Sequence, residues 1–155
     1  MIPDFVTISG ALWPVLPPGI HEVGLAEFAS RFVYNERRKS LYEGLLLGID
    51  NLFNAGCQQL YIDGSYVTAK PQPGDFDLCW DIEGAVEDLI DPVLKEFSNK
   101  RALQKQKFGG EFFPFTFYQE PEDSIFEFFQ KDKATGARKG IIKITNYISL
   151  GGGKK

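Results

Sequence analysis

Histidine and cysteine are scarce in this sequence, whose 155 residues include one histidine, His21, and two cysteines, Cys57 and Cys79. A single histidine excludes a His-based catalytic triad or a multi-histidine metal site unless a partner supplies the rest. The two cysteines lack metal-ligand spacing and are too few for a disulfide framework. We interpret them as small buried hydrophobic residues in a reducing compartment. His21 lies in a segment rich in Pro and Gly, where a structural hydrogen bond is expected.

Long apolar runs are also missing, because no uninterrupted stretch approaches the length that spans a bilayer. The first residues, Met1 to Asp4, lack the basic region that begins a signal peptide. We therefore expect a cytoplasmic protein with no membrane partner.

Positive charge is not in excess, because 17 Lys and Arg stand against 21 Asp and Glu, for a formal net charge of −4. This balance argues against a surface that coats nucleic acid, and no duplex DNA partner is expected. Basic residues do cluster locally, at 95–107 and from Lys131 onward. Each cluster taken alone is typical of solvated surface. Lys105 and Lys107 are nevertheless candidates to bind nucleic acid or a triphosphate.

Phenylalanine is abundant, with 14 residues and a dense cluster at 108–129, which favours an aromatic core under β-strands. The chain length suits one domain. We predict an extended N-terminal arm at 1–24, one domain at 25–150 and a flexible tail at 151–155.

Apolar residues recur at helical spacing in the first half of the domain. They predict one helix over 25–33 and a second that Asn35 caps and Gly56 ends. Arg37 and Arg38 fall near the start of this second helix, where ordinary surface charge is expected. Residues 84–108 are predicted to be helical, with a break near Asp91-Pro92.

Short apolar segments predict five strands, with a turn at Ala134-Thr135-Gly136 that makes the last two a hairpin. Their ranges are 59–63, 75–80, 112–118, 125–130 and 140–145. The predicted fold is α/β of the α+β kind, with a mixed, mostly antiparallel sheet and helices chiefly on one face.

Two carboxylates lie two positions apart in the strand at 75–80, Asp75 and Asp77. Residues at this spacing project to the same face of a strand, whereas Phe76 and Leu78 point to the opposite face. Neighbouring carboxylates repel each other unless a cation neutralises them. Mg²⁺, or Mn²⁺ in its place, is the expected cation because it binds one or two carboxylates together with substrate phosphates.

The preceding strand ends at Gly64-Ser65. Glycine allows the backbone to approach a phosphate closely, and a helix that begins at Ser65 would direct free N–H groups at it. The loop 66–74 contains Lys70 and returns the chain beside the Gly-Ser strand. We therefore predict that Gly64, Ser65 and Lys70 bind a nucleoside triphosphate next to the metal-binding carboxylates.

The combination of Gly64-Ser65 with Asp75-Phe76-Asp77 resembles the signature of the DNA polymerase β-type nucleotidyltransferase superfamily, which includes minimal bacterial enzymes of toxin–antitoxin loci. A closer resemblance covers nearly the whole chain and is to an uncharacterised bacterial and phage family described as nucleotidyltransferase-like. The segments that carry it are Leu16-Pro17-Pro18-Gly19-Ile20-His21, Tyr61-Ile62-Asp63-Gly64-Ser65-Tyr66-Val67-Thr68-Ala69-Lys70, Phe126-Glu127-Phe128-Phe129-Gln130 and Lys139-Gly140-Ile141. The resemblance implies a minimal nucleotidyltransferase fold, two aspartates that bind divalent metal, a third carboxylate on a neighbouring strand, and contact between Gly-Ser and nucleotide phosphates.

The first candidate for the third carboxylate is Glu127, the ionisable residue of the apolar segment 125–129, where burial without a cation would be costly. Asp123 is the second candidate, and Glu111 and Asp81 are weaker ones. The superfamily usually has aspartate at this position, so a glutamate leaves catalysis open. An ion pair between Glu127 and Lys143 is the structural alternative.

The resemblance implies a metal-dependent nucleotidyltransferase that moves a nucleoside monophosphate from a nucleoside triphosphate to an RNA or protein acceptor, in a toxin–antitoxin or phage-defence setting. Asp75, Asp77 and Glu127 would be both catalytic and metal-binding. The alternative is a nucleotidyltransferase-fold binding module with weak or no catalysis, acting as an antitoxin or nucleotide sensor, because fold alone does not determine function.

Overall fold

The computed structural model of the chain describes residues 1–117 and 125–148, and within them five strands form one mixed sheet. The strands are β1 (Gly19–Glu22), β2 (Gln59–Asp63), β3 (Phe76–Asp81), β4 (Gly110–Phe115) and β5 (Gly140–Thr145). The helices are α1 (Leu25–Phe32), α2 (Glu36–Asn54), α3 (Ser98–Phe108) and α4 (Ile125–Phe129). This is the predicted α+β class.

The sheet has the strand order β1-β5-β2-β3-β4. The central strand β2 is antiparallel to both β5 and β3, whereas the outer pairs β1-β5 and β3-β4 are parallel. The sheet is mixed, as predicted, but it is not mostly antiparallel, because two of its four strand pairs are parallel and the two antiparallel pairs lie in the middle. β1 comes from the segment predicted to be an extended arm, and it pairs residue by residue with β5 at the sheet edge.

The larger hydrophobic core lies between the sheet and the helices α1, α2 and α3. Alternate residues of β3, namely Phe76, Leu78 and Trp80, belong to this core together with Leu45 and Ile49 of α2. Asn35 caps α2 as predicted, because its side-chain oxygen accepts a hydrogen bond from the Arg38 amide at 2.9 Å. The opposite residues of β3 therefore face the other side of the sheet, where Cys79 is buried in a smaller cluster.

The predicted strand at 125–130 is wrong, because Ile125–Phe129 is the helix α4. Its aromatic residues pack against the second face of the sheet, where Phe126 contacts the rings of Tyr61 and Phe115 with centroids 4.8 and 5.4 Å away. Tertiary packing therefore overrides the strand preference of a Phe-rich segment. The chain still reverses at 132–137, where Lys131 and Arg138 form an isolated antiparallel bridge.

The region predicted to be helical over 84–108 contains two one-turn 3-10 helices, Glu87–Leu89 and Pro92–Lys95, before α3. The predicted strand over 112–118 is also shifted, because β4 begins at Gly110 and ends at Phe115. The tail predicted at 151–155 lies outside the described residues. Within the described ranges, no helix combines the length and hydrophobicity that a membrane span requires.

Candidate functional site

Three carboxylates form a row across neighbouring strands on the face of the sheet opposite α2. The register pairs Asp63 of β2 with Asp77 of β3, and Asp77 in turn with Glu111 of β4. Asp75 lies two residues before Asp77 and shares its face. The structure thus brings the predicted aspartate pair together with two further acids.

Asp75, Asp77 and Glu111 each offer a carboxylate oxygen, and these oxygens lie within 4.8 Å of one another. Burial, followed by the charges of Asp75 and Glu111, raises the pKa of Asp77 to about 7. Burial and Glu111 likewise raise the pKa of Asp75. Among the described residues, none donates a hydrogen bond to the Asp77 side chain. The centre of the row therefore holds a carboxylate that is costly to ionise in the free protein.

Cations compensate the two ends of the row. Lys139 Nζ lies 2.5 Å from Asp63 Oδ1, and both side chains are almost completely buried. Burial still raises the pKa of Asp63 although Lys139 acts in the opposite direction. At the other end, Arg101 forms an ion pair with Glu111, and Lys105 Nζ lies 3.7 Å from the same carboxylate.

Arg101 reaches Glu111 from an unusual backbone turn at the start of α3. Asn99, Lys100 and Arg101 have φ angles of 53°, 55° and 61°, in the left-handed region that costs a non-glycine residue about 1–2 kcal/mol. The turn brings the Arg101 guanidinium over the Phe113 ring, 4.7 Å from its centroid. Backbone strain of this kind is common at functional sites. Here the strained turn places the Arg101 guanidinium beside Glu111 of the acidic row.

Gly64 follows β2 with a φ of 83° and lies against the acidic row. A Cβ atom at this position would lie 2.6 Å from Asp77 Oδ2, which is too close for an unstrained contact. Glycine is therefore required both by the backbone angle and by the space beside Asp77. The helix predicted to begin at Ser65 is a single 3-10 turn, Ser65–Val67.

A cleft of about 640 Å³ opens over this row. Its lining includes all of the predicted nucleotide-binding residues, Gly64, Ser65 and Lys70, together with Asp75 and Asp77. Further cations and several apolar side chains also line it. The cations are Arg101, Lys131, Lys133 and Lys139, and the apolar residues include Leu12, Trp13, Phe113 and Phe128.

Arg38, expected to be a surface charge, is instead completely buried. Its guanidinium donates hydrogen bonds to the carbonyl oxygens of Phe32, Tyr66, Thr68 and Lys70, at 3.1, 2.6, 3.0 and 2.6 Å. Three of these acceptors lie in the segment that follows Gly64-Ser65. Arg38 therefore holds the backbone of a segment in which Thr68 and Lys70 line the cleft. The carbonyl acceptors offset the desolvation that lowers its pKa.

Glu127, the first candidate for the third carboxylate, lies on α4 rather than on a strand. Its carboxylate pairs with Arg138 at 3.1 Å and accepts a hydrogen bond from Gln130, and it is not in the acidic group of Asp75 and Asp77. The alternative partner, Lys143, lies 4.0 Å from Glu22 instead. Asp123, the second candidate, lies outside the described residues.

The weaker candidates have different surroundings. Asp81 is buried at the far end of β3, where it accepts hydrogen bonds from Gln59 and from the amide of Glu83. Glu111 is the carboxylate that the structure brings beside Asp75 and Asp77. The predicted strand over 112–118 began after Glu111, whereas β4 begins at Gly110 and includes it. A strand predicted from Gly110 would have placed Glu111 beside the acidic strand. His21 has the expected structural role, since its Nε2 lies 2.8 Å from the Pro17 carbonyl oxygen.

Comparison with known proteins relates the chain to one protein family. No curated protein and no solved structure matches the chain. One family profile matches residues 12–145, which span β1 to β5 and every residue of the acidic row. The chain therefore belongs to a family of unknown function, DUF6932.

Proposed function

We propose that the chain is a divalent-metal-dependent nucleotidyltransferase, which moves a nucleoside monophosphate from a nucleoside triphosphate to a hydroxyl of an RNA or protein acceptor. The observation that carries this proposal is the group of Asp75, Asp77 and Glu111, whose oxygens lie within 4.8 Å of one another beside Gly64. Their cleft also contains Ser65, so acidic and phosphate-binding elements share one opening.

The donor set fits Mg²⁺ or Mn²⁺, because these hard cations favour carboxylate oxygens and complete their shells with water and phosphate. Asp75, Asp77 and Glu111 would hold the metal. When bound, the cation would neutralise charge on the reacting phosphates and favour ionisation of the attacking hydroxyl. The raised pKa of Asp77 supports this assignment, since burial beside two acids leaves its charge uncompensated in the free protein.

The lining of the cleft contains groups that match both parts of a nucleotide. Lys70 and Lys133 line the cleft and supply positive charge for a triphosphate, whereas Lys139 is already neutralised by Asp63. Trp13 and Phe128 line it as well and are 40% and 53% exposed, so their rings are open to stack on a base. A ligand with an anionic chain and a flat aromatic group would use both kinds of side chain.

In the proposed reaction the acceptor hydroxyl oxygen forms a bond to the α-phosphorus. The bond from that phosphorus to the bridging oxygen of the β-phosphate breaks, and pyrophosphate leaves. The hydroxyl proton passes to a carboxylate of the acidic group. Gly64 leaves room beside Asp77, and Arg38 holds the segment through Lys70, so the chain acts mainly by positioning and charge.

A binding module without catalysis is the second candidate, and one observation favours it. Arg101 and Lys105 already neutralise Glu111, so the third carboxylate has partners that compete with a metal ion. A protein of this kind would bind a nucleotide in the same cleft, as a sensor or as an antitoxin, and would transfer nothing.

The test incubates the purified chain with each α-labelled nucleoside triphosphate, Mg²⁺ or Mn²⁺, and total RNA or cell lysate. Label is expected in a product that either ribonuclease or protease removes, which identifies the acceptor class. Asp77→Asn should abolish the labelling, and Asp88→Asn, a change at an exposed aspartate outside the cleft, should retain it. Nucleotide binding by calorimetry without any labelled product would establish the binding module, and absence of both would refute the two candidates together.

A further inference from the structure

A second groove lies between α2 and α3, with a volume of about 480 Å³. Its lining includes Arg37, Ser40 and Glu43 from α2 and Lys105 and Lys107 from α3. Lys105 and Lys107 of the basic cluster at 95–107, which do not line the proposed triphosphate site, therefore lie in a defined depression rather than on a uniformly solvated face.

The groove and the acidic cleft meet at Asp75, which lines both. Arg37 is anchored beside this junction, because its Nε donates to the Pro73 carbonyl oxygen at 2.9 Å and its other nitrogen contacts the Gly74 carbonyl. Lys105 reaches from the groove towards Glu111 in the cleft. A ligand in the groove would therefore end at the proposed metal-binding carboxylates.

The lining of the groove contains one more cation than carboxylates. The side chains of Lys105 and Lys107 are 42% and 51% exposed, although Asp91 pairs with Lys107 at 2.5 Å. Arg37 hydrogen bonds to carbonyl groups rather than to a carboxylate in the described residues. Against these three cations the lining contributes Glu43 and Asp75. The apolar content is low, since Leu47 is the large hydrophobic side chain that stands exposed there.

We propose that this groove binds the acceptor as the 3′ end of a single-stranded RNA, with backbone phosphates at Arg37, Lys105 and Lys107 and the terminal hydroxyl at Asp75. The acceptor role rests on the proposed transferase function. RNA fits better than a protein acceptor, because a polyanion uses three cations whereas a protein interface needs buried aromatic or aliphatic anchors. Ser40 and Gln106 add polar groups able to contact ribose hydroxyls.

The test measures fluorescence anisotropy of a short 5′-labelled single-stranded RNA in EDTA without nucleotide, so binding does not depend on the metal site. Lys107→Gln removes one phosphate contact and should weaken binding roughly fivefold at 0.1 M salt. Ser40→Glu, which adds negative charge without breaking an ion pair, should weaken it similarly. Glu43→Gln should strengthen it.

Lys39→Gln is the control for the loss of one positive charge, because Lys39 is exposed on α2 and does not line the groove. It should change affinity less than twofold. Equal losses in Lys39→Gln and Lys107→Gln, or equal affinity in all variants, would overturn the groove assignment. Equal binding of a DNA strand of the same sequence would overturn the preference for RNA.

Calorimetry of the wild-type chain with nucleoside triphosphate and Mg²⁺ separates the two proposals. Groove-specific RNA binding without nucleotide binding would establish the groove as an RNA site and refute its role as an acceptor site. Nucleotide transfer with no groove-dependent RNA binding would refute the groove and leave the transferase standing. Melting curves of each variant verify that it is folded.

Discussion

Asp77 of β3 and Glu111 of β4 are direct partners in the parallel register of the two strands. This pairing puts a second carboxylate beside a buried one, and Glu111 is among the charges that raise the pKa of Asp77. Ionising both carboxylates is electrostatically unfavourable unless a cation lies close to them. Arg101 and Lys105 reach Glu111, so we expect the Asp77 side of the pair to determine how the site responds to metal.

The first prediction is that Mg²⁺ or Mn²⁺ stabilises the folded chain through the acidic group. At a metal concentration tenfold above Kd, binding adds about 1.4 kcal/mol and should raise the Tm by roughly 3–6 °C. Asp77→Asn should lose this increase, and Asp88→Asn should keep it. Differential scanning calorimetry measures all three proteins, and equal increases in them would remove the metal site.

The second prediction distinguishes the two glutamates. Glu111→Gln should abolish nucleotide transfer and the Tm increase with Mg²⁺, because it removes an oxygen donor that lies within 4.8 Å of the two aspartates. Glu127→Gln should retain both, since Glu127 pairs with Arg138 outside this group. Loss of that partly exposed ion pair should cost less than about 1 kcal/mol in the free energy of unfolding. Activity lost in Glu127→Gln and kept in Glu111→Gln would reverse the assignment.

The third prediction concerns Gly64. Gly64→Ala should lower the free energy of unfolding and weaken metal binding, because the new Cβ atom must displace the Asp77 carboxylate. Gly136→Ala is the matched control, since Gly136 has a similar φ of 75° with open space around it. It should cost about 1 kcal/mol from backbone strain alone. Chemical denaturation of both variants, with and without Mg²⁺, measures how far the loss in Gly64→Ala exceeds that of the control and whether the stabilisation by metal falls with it.

The fourth prediction is a pH dependence of stability in the metal-free protein. The pKa of Asp77 is raised from 3.8 to about 7, so the folded state keeps a proton that the unfolded state releases. This contribution to stability is fully present below about pH 4 and is lost as the pH rises through 7. Asp77→Asn should remove that decline. Urea denaturation in EDTA from pH 4 to 8 measures it, and parallel curves for the two proteins would contradict the assignment.

The sequence by itself determined the α+β class, the strand Gln59–Asp63, the capped helix α2 and the spacing that puts Asp75 and Asp77 on one face. These features depend on local periodicity, capping and alternation, which neighbouring residues set along the chain. The location of Gly64-Ser65 next to that acidic strand also followed from the sequence, because the short loop leaves the chain little freedom.

The tertiary structure alone decided which further residues join the site. Glu111 reaches Asp77 through the register of β3 and β4, and Lys139 reaches Asp63 across 76 positions of the chain, relationships that no local pattern encodes. Glu127 lies outside the acidic group because its segment forms a helix rather than a strand, and its carboxylate pairs with Arg138. Strand pairing and side-chain packing act between distant segments, so they alone determine which charges become neighbours.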